Sequence, residues 1–76
     1  MLSVYALHPR DNVTTPELVR KAHLRGLAVN VWTVDEVPRM RELAGMRVNG
    51  LITDRPDLAM EVVLEVDRLR GRPAGS

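Results

Sequence analysis

Gly26-Leu27-Ala28-Val29-Asn30-Val31-Trp32-Thr33-Val34-Asp35 decides how the rest of this chain is read. Side chains alternate along a strand, so Val29 and Val31 share one face while Ala28, Asn30 and Trp32 share the other. Gly26 closes a helical pattern in front of this run, and Asp35 opens another behind it. The stretch is therefore the strand of a helix–strand–helix arrangement, spanning Leu27 to Val34, and it carries the chain's only tryptophan.

Upstream, Leu2 to Leu7 reads as a first strand, with β-branched Val4 and aromatic Tyr5. His8-Pro9 ends it, because proline lacks the ladder donor and holds its predecessor extended. Thr14-Thr15-Pro16-Glu17 starts a helix. Proline fits its first turn, and either threonine can serve as the N-cap. Leu18, Val19, Ala22 and Leu24 form the apolar stripe, and Gly26 supplies a left-handed stop.

Downstream, Asp35 is expected to cap a helix from Glu36 to Ala44, with Val37, Met40, Leu43 and Ala44 at core spacing and Gly45 as its end. Val48 to Thr53 is a third strand. Asn49-Gly50 within it has hairpin chemistry, but Arg47-Val48 is too short to be the partner strand. Asp54-Arg55-Pro56-Asp57 opens a last helix, expected to run to Arg70. Leu58, Ala59, Val62, Val63, Val66 and Leu69 lie on its buried side.

Strand followed by helix, three times, implies parallel strands joined by right-handed crossovers. The fold class is α/β, three parallel strands alternating with three helices. Residues 1–70 form this unit, and 71–76 read by composition as a disordered tail.

Composition bounds the function. Seventy-six residues suffice for one small domain, and a chain of this size buries only about 60% of its unfolded surface. Aromatics make up 3% of the chain and phenylalanine is absent, so the core must come from Val, Leu, Ala and Met. A net charge of +1 gives no basic patch for nucleic acid. The absence of cysteine excludes disulfide and thiolate-metal chemistry. No apolar run is long enough to span a bilayer, and no signal-peptide layout opens the chain. A cytoplasmic location is the default expectation.

Several blocks together resemble one family. They are Thr15-Pro16-Glu17-Leu18-Val19, Ala22-His23, Gly26-Leu27, Val31-Trp32-Thr33-Val34 and Val48-Asn49-Gly50-Leu51-Ile52-Thr53-Asp54-Arg55-Pro56. In order and spacing they are similar to the C-terminal end of glycerophosphodiester phosphodiesterases. The resemblance runs from Leu7 to Val63 and implies the last three strand–helix units of a TIM barrel, a partial (βα)3 segment. A whole barrel takes about 250 residues. Three departures stand out: Asp35 in place of asparagine, Arg47 in place of glycine, and Asn49 in place of aspartate.

By this resemblance Trp32 lines the substrate pocket as an apolar wall beside the glycerol group. The family's histidine-arginine pair has no counterpart in this sequence, and no Glu-x-Asp pair stands at a strand end. No catalytic residue and no metal ligand can therefore be carried over. The intact family uses a divalent metal such as Ca or Mg; no cofactor is expected for this chain alone. His8, Asp35, Asp54 and Arg55 are weaker site candidates, each following a strand. For the two aspartates helix capping is the competing role, and for His8 and Arg55 it is ordinary loop solvation. His23 reads as a helix-surface or packing residue.

The favoured reading is a catalytically incomplete segment that acts mainly by self-association, forming a homo-oligomer through exposed strand edges or helices. The alternative is the C-terminal part of an active enzyme that hydrolyses glycerophosphodiesters to glycerol 3-phosphate and an alcohol. A third reading is a small phosphate-ligand binder using His8, Arg10 and Arg55.

Overall fold

The computed structural model describes residues 5–71. Its elements follow the order β1 (Ala6–Leu7), a 3-10 turn (Asp11–Val13), α1 (Pro16–Leu24), β2 (Ala28–Val31), α2 (Val37–Gly45), β3 (Gly50–Leu51) and α3 (Pro56–Leu69). The sheet is parallel, in the order β1-β2-β3. The expected α/β architecture is thus the observed one. Residues 1–4 and 72–76 lie outside the described part, and with them half of the expected first strand and most of the tail.

Each strand is shorter than its apolar run. Leu27 belongs to the end of α1 rather than to β2: its N–H donates to the Ala22 carbonyl at 2.9 Å, while that of Gly26 donates to His23. This is a Schellman closure, and Gly26, at φ +75°, occupies its left-handed position. Beyond Val31 the ladder continues irregularly, through a bridge between Arg10 and Trp32. β3 keeps only Gly50 and Leu51, paired with Asn30 and Val31.

The pairing register sorts the two faces. Val29 and Val31, both fully buried, face the helices and pack with Val19, Ala22, Met40, Leu43, Ala59 and Val62. Ala28 and Asn30 face the opposite way, towards the side no helix covers, together with their partners Ala6 and Gly50. A Cβ at Gly50 would come within 2.6 Å of Asn30 Oδ1, so any larger residue there needs the Asn30 amide to turn aside.

Several expectations need correction. Leu24, Val63 and Leu69 are exposed, at 75%, 36% and 76%, rather than part of the core. Val63 and Met60 project past β3 and line a groove with Leu51, Thr53, Pro56 and Ala59. α2 begins at Val37 with Glu36 as its N-cap, and α3 begins at Pro56 with Arg55 as its N-cap. Neither Asp35 nor Asp54 caps a helix. Of the two threonines, Thr15 is the cap of α1, its hydroxyl accepting from Leu18 N. Thr14 is buried and donates to the Arg10 carbonyl. α2 ends at Gly45 as expected, but Gly45 is not the left-handed residue of its closure. That conformation falls on Arg47, at φ +67°, within a second Schellman closure in which Val48 N donates to Leu43 O.

Charged side chains tie the layers together. Arg39 of α2 reaches the 3-10 turn, pairing with the Asp11 carboxylate and donating to the carbonyls of Asp11 and Thr14. Arg70 donates to the carbonyls of Ala44 and Gly45 at 2.7 and 2.9 Å, joining the end of α3 to the C-terminal turn of α2. Arg41 and Glu65 join α2 to α3 in a two-point pair.

Candidate functional site

Parallel strands deliver their C-terminal ends, and the loops that follow, to one side of the molecule. Trp32 stands there, immediately after β2. It continues the alternation of Ala28 and Asn30 and so belongs to the face no helix covers. Three hydrogen bonds place it against the segment after β1. Its indole Nε1 donates to the His8 carbonyl. Its backbone N–H donates to Pro9 O at 3.2 Å, and its carbonyl accepts from Asp11 N at 2.7 Å. The ring remains 36% exposed. With Arg10, Asp11, Asn12 and Thr33 it lines an open cleft of about 350 Å³.

Arg10 is the second side chain of this cleft. Its guanidinium carbon lies 5.1 Å from the centroid of the Trp32 ring, a cation–π arrangement. Asp11, next in sequence, is held away from Arg10 by its pairing with Arg39. The cleft is thus assembled from the β1 and β2 ends and braced by α2.

The other candidates fall elsewhere. The side chain of His8 is not among the groups that line the cleft; its backbone carbonyl is what holds the indole. Asp35 staples two loops, its Oδ1 accepting from Thr53 Oγ1 and Asp54 N, both at 3.0 Å. Asp54 contributes that N–H. Arg55 lies beyond β3, exposed and 3.7 Å from the Asp57 carboxylate. The trio of His8, Arg10 and Arg55 does not converge, since β2 separates the loops of β1 and β3.

His23 and Asn49 form a polar join at the opposite, N-terminal end of the sheet. Asn49 Oδ1 accepts from Val29 N at 2.7 Å and contacts His23 Nε2 at 2.9 Å. A single side-chain oxygen of Asn49 thus satisfies the first N–H of the β2 valines.

The residues present do not fit a divalent metal. Among the described residues no three His, Asp or Glu side chains gather as a ligand set. Of the carboxylates that follow strands, Asp11 is paired with Arg39 and Asp35 accepts from the Thr53–Asp54 loop. No helix among the described residues is long and apolar enough to cross a membrane.

The sequence singles out Trp32, which the structure places at the cleft, but gives no direct sign of Arg39 or of the pairing of Arg10 with the ring. Arg39 lies one position off the stripe of Val37, Met40 and Leu43, where an arginine stem can run along the core edge to a distant carboxylate. That flanking position is the one signal for it in the sequence.

Comparison with known proteins agrees with this geometry. Residues 1–58 match the model of the glycerophosphoryl diester phosphodiesterase family. A Mycobacterium tuberculosis protein named "Probable glycerophosphodiester phosphodiesterase 2" is 48% identical over 52 residues, covering 68% of this chain and 20% of the relative. A glycerophosphodiester phosphodiesterase of Caldanaerobacter subterraneus subsp. tengcongensis is 34% identical over 62 residues, covering 82% of this chain and 26% of that protein. The crystal structure of a Silicibacter pomeroyi DSS-3 protein named "Putative glycerophosphoryl diester phosphodiesterase" matches 90% of this chain with a TM-score of 0.75 and 34% identity, using 22% of its own length. The chain thus spans between a fifth and about a quarter of the relatives it matches. Sequence, sheet order and the matched structure agree: the chain belongs to the glycerophosphoryl diester phosphodiesterase family and is a partial segment of it.

Proposed function

We propose that this chain supplies one wall of a glycerophosphodiester phosphodiesterase barrel, and that the completed barrel hydrolyses glycerophosphodiesters to glycerol 3-phosphate and an alcohol. The observation that carries this is the placing of Trp32: at the C-terminal end of its strand, on the face without helices, at the mouth of an open cleft. In a closed barrel that face is the interior and that end holds the site. The indole offers apolar area to a glycerol backbone. The one carboxylate among the described residues that line the cleft, Asp11, is paired with Arg39, which supports a contribution of binding surface rather than of chemistry.

A chimera tests this reading. Residues 5–58 replace the matched stretch of the Mycobacterium relative, and release of glycerol 3-phosphate is followed with added divalent metal. Activity within tenfold of the parent supports the proposal, and Trp32→Ala in the chimera raises KM more than it lowers kcat. A folded chimera without turnover refutes it.

A second reading is favoured by the uncovered apolar surface. The groove of Leu51, Met60 and Val63 beside β3, and that of Leu7, Leu18 and Leu27 beside β1, flank the two open edges of the sheet. Such edges and grooves favour association with another chain. Alone, the segment is therefore expected to self-associate into a homo-oligomer. Sedimentation at micromolar concentration tests this, and a monodisperse folded monomer refutes it.

A further inference from the structure

Arg10 and Trp32 are bridge partners in parallel register, so their side chains leave the sheet on the same face. The guanidinium lies over the indole, 5.1 Å from its centroid. Among the described residues no carboxylate stands within ion-pair distance of Arg10. The one carboxylate lining the cleft, Asp11, is neutralised by Arg39. Asn12 and Thr33, which complete the lining, are uncharged. The cleft therefore presents a single uncompensated positive charge, laid on the ring itself.

That placement bears on selectivity. A bare indole face attracts an ammonium group by cation–π interaction. Here a guanidinium already covers the face, so a second cation meets repulsion where it would have met attraction. An anionic or neutral group meets no such penalty and can take a charge-assisted hydrogen bond from the guanidinium.

We propose that Arg10, stacked on Trp32, is a specificity-determining residue that makes this cleft favour phosphodiesters with a neutral or anionic alcohol group and disfavour those ending in an ammonium. The inference rests on Trp32 being a substrate wall. Reversing one unit charge about 6 Å from an exposed guanidinium changes affinity roughly tenfold, and removing it changes affinity about threefold.

Trp32 is the chain's only tryptophan, so its emission reads the cleft alone. Quenching by iodide, caesium and acrylamide is measured at equal ionic strength on the 76-residue chain, on Arg10→Gln and on Arg10→Lys. Relative to acrylamide, iodide quenches the native chain about threefold more strongly than Arg10→Gln, caesium shows the reverse, and Arg10→Lys retains the native order. Equal normalised quenching in the native chain and Arg10→Gln overturns the proposal. The same emission is then titrated with glycerophosphoglycerol and glycerophosphocholine. About a threefold preference for the former, lost in Arg10→Gln, supports the inference. A preference that persists unchanged in Arg10→Gln overturns it and leaves the substrate wall standing. No response to either diester overturns the substrate-wall reading and the inference together.

Discussion

Arg39→Met is the most informative perturbation of the segment that builds the cleft. The substitution keeps the apolar stem and removes the guanidinium. Four interactions go with it: the pair to the Asp11 carboxylate, the bond to Asp11 O at 3.1 Å, the bond to Thr14 O at 2.9 Å and an exposed pair to Glu42 at 3.7 Å. The two charged side chains are 25% and 31% exposed, so water recovers part of the loss. Hydrogen bonds to charged groups contribute about 1.5–3 kcal/mol each when well shielded, and partial exposure lowers that. A net destabilisation of about 2–3 kcal/mol is expected, a fall in Tm of roughly 8–20 °C for a domain of this size. Circular dichroism melts at one fixed protein concentration measure it, since association would make Tm concentration-dependent. Asp11→Asn completes a double-mutant cycle, with an expected coupling of about 1–2 kcal/mol. Because Asp11 N also donates to the Trp32 carbonyl, loosening the turn should shift tryptophan emission to the red. Arg39→Met within 0.5 kcal/mol of the native chain, an order-of-magnitude limit for an ordinary surface change, would refute the view that α2 braces the cleft.

Arg47 holds a left-handed conformation at φ +67°, which costs a non-glycine residue about 1–2 kcal/mol. Arg47→Gly recovers this less the entropy of a freer unfolded chain, so a gain of about 0.5–1 kcal/mol is expected in urea unfolding. Gly50→Ala drives a Cβ to within 2.6 Å of Asn30 Oδ1; it should destabilise by about 1–3 kcal/mol, and Asn30→Ala should restore most of the loss in a second melt. Met60→Asp puts a charge into the groove beside β3, where Met60 is 60% exposed. It should weaken self-association by about tenfold or more in sedimentation while leaving the helical signal intact.

The backbone plan was legible because each element carries its own punctuation. Pro16, Pro38 and Pro56 stand in the first turns of three helices, and Gly26 fills the left-handed stop its position announced. Val29 and Val31 announced the buried face by period two. What local pattern could not supply was contact across the sequence. Asp35 and Asp54 have the composition of caps, yet the helices begin later, and Asp35 instead accepts hydrogen bonds from a loop 18 and 19 residues away. Val63 and Leu69 keep helical periodicity but lie where α3 extends past the short β3, so spacing alone overstated their burial. For the site, the resemblance singled out Trp32. The guanidinium on its ring is a relation between two strand ends that only the register of Arg10 with Trp32 reveals.

We propose for this chain a substrate wall without the groups that cleave the diester. The direct test is release of glycerol 3-phosphate from glycerophosphoglycerol, with divalent metal, by the purified chain alone and mixed with the complementary part of the Mycobacterium relative. No release above the metal blank is expected for the chain alone, and turnover is expected once the two parts form a complex. Turnover by the chain alone, or a stable complex that cleaves nothing, would contradict this proposal.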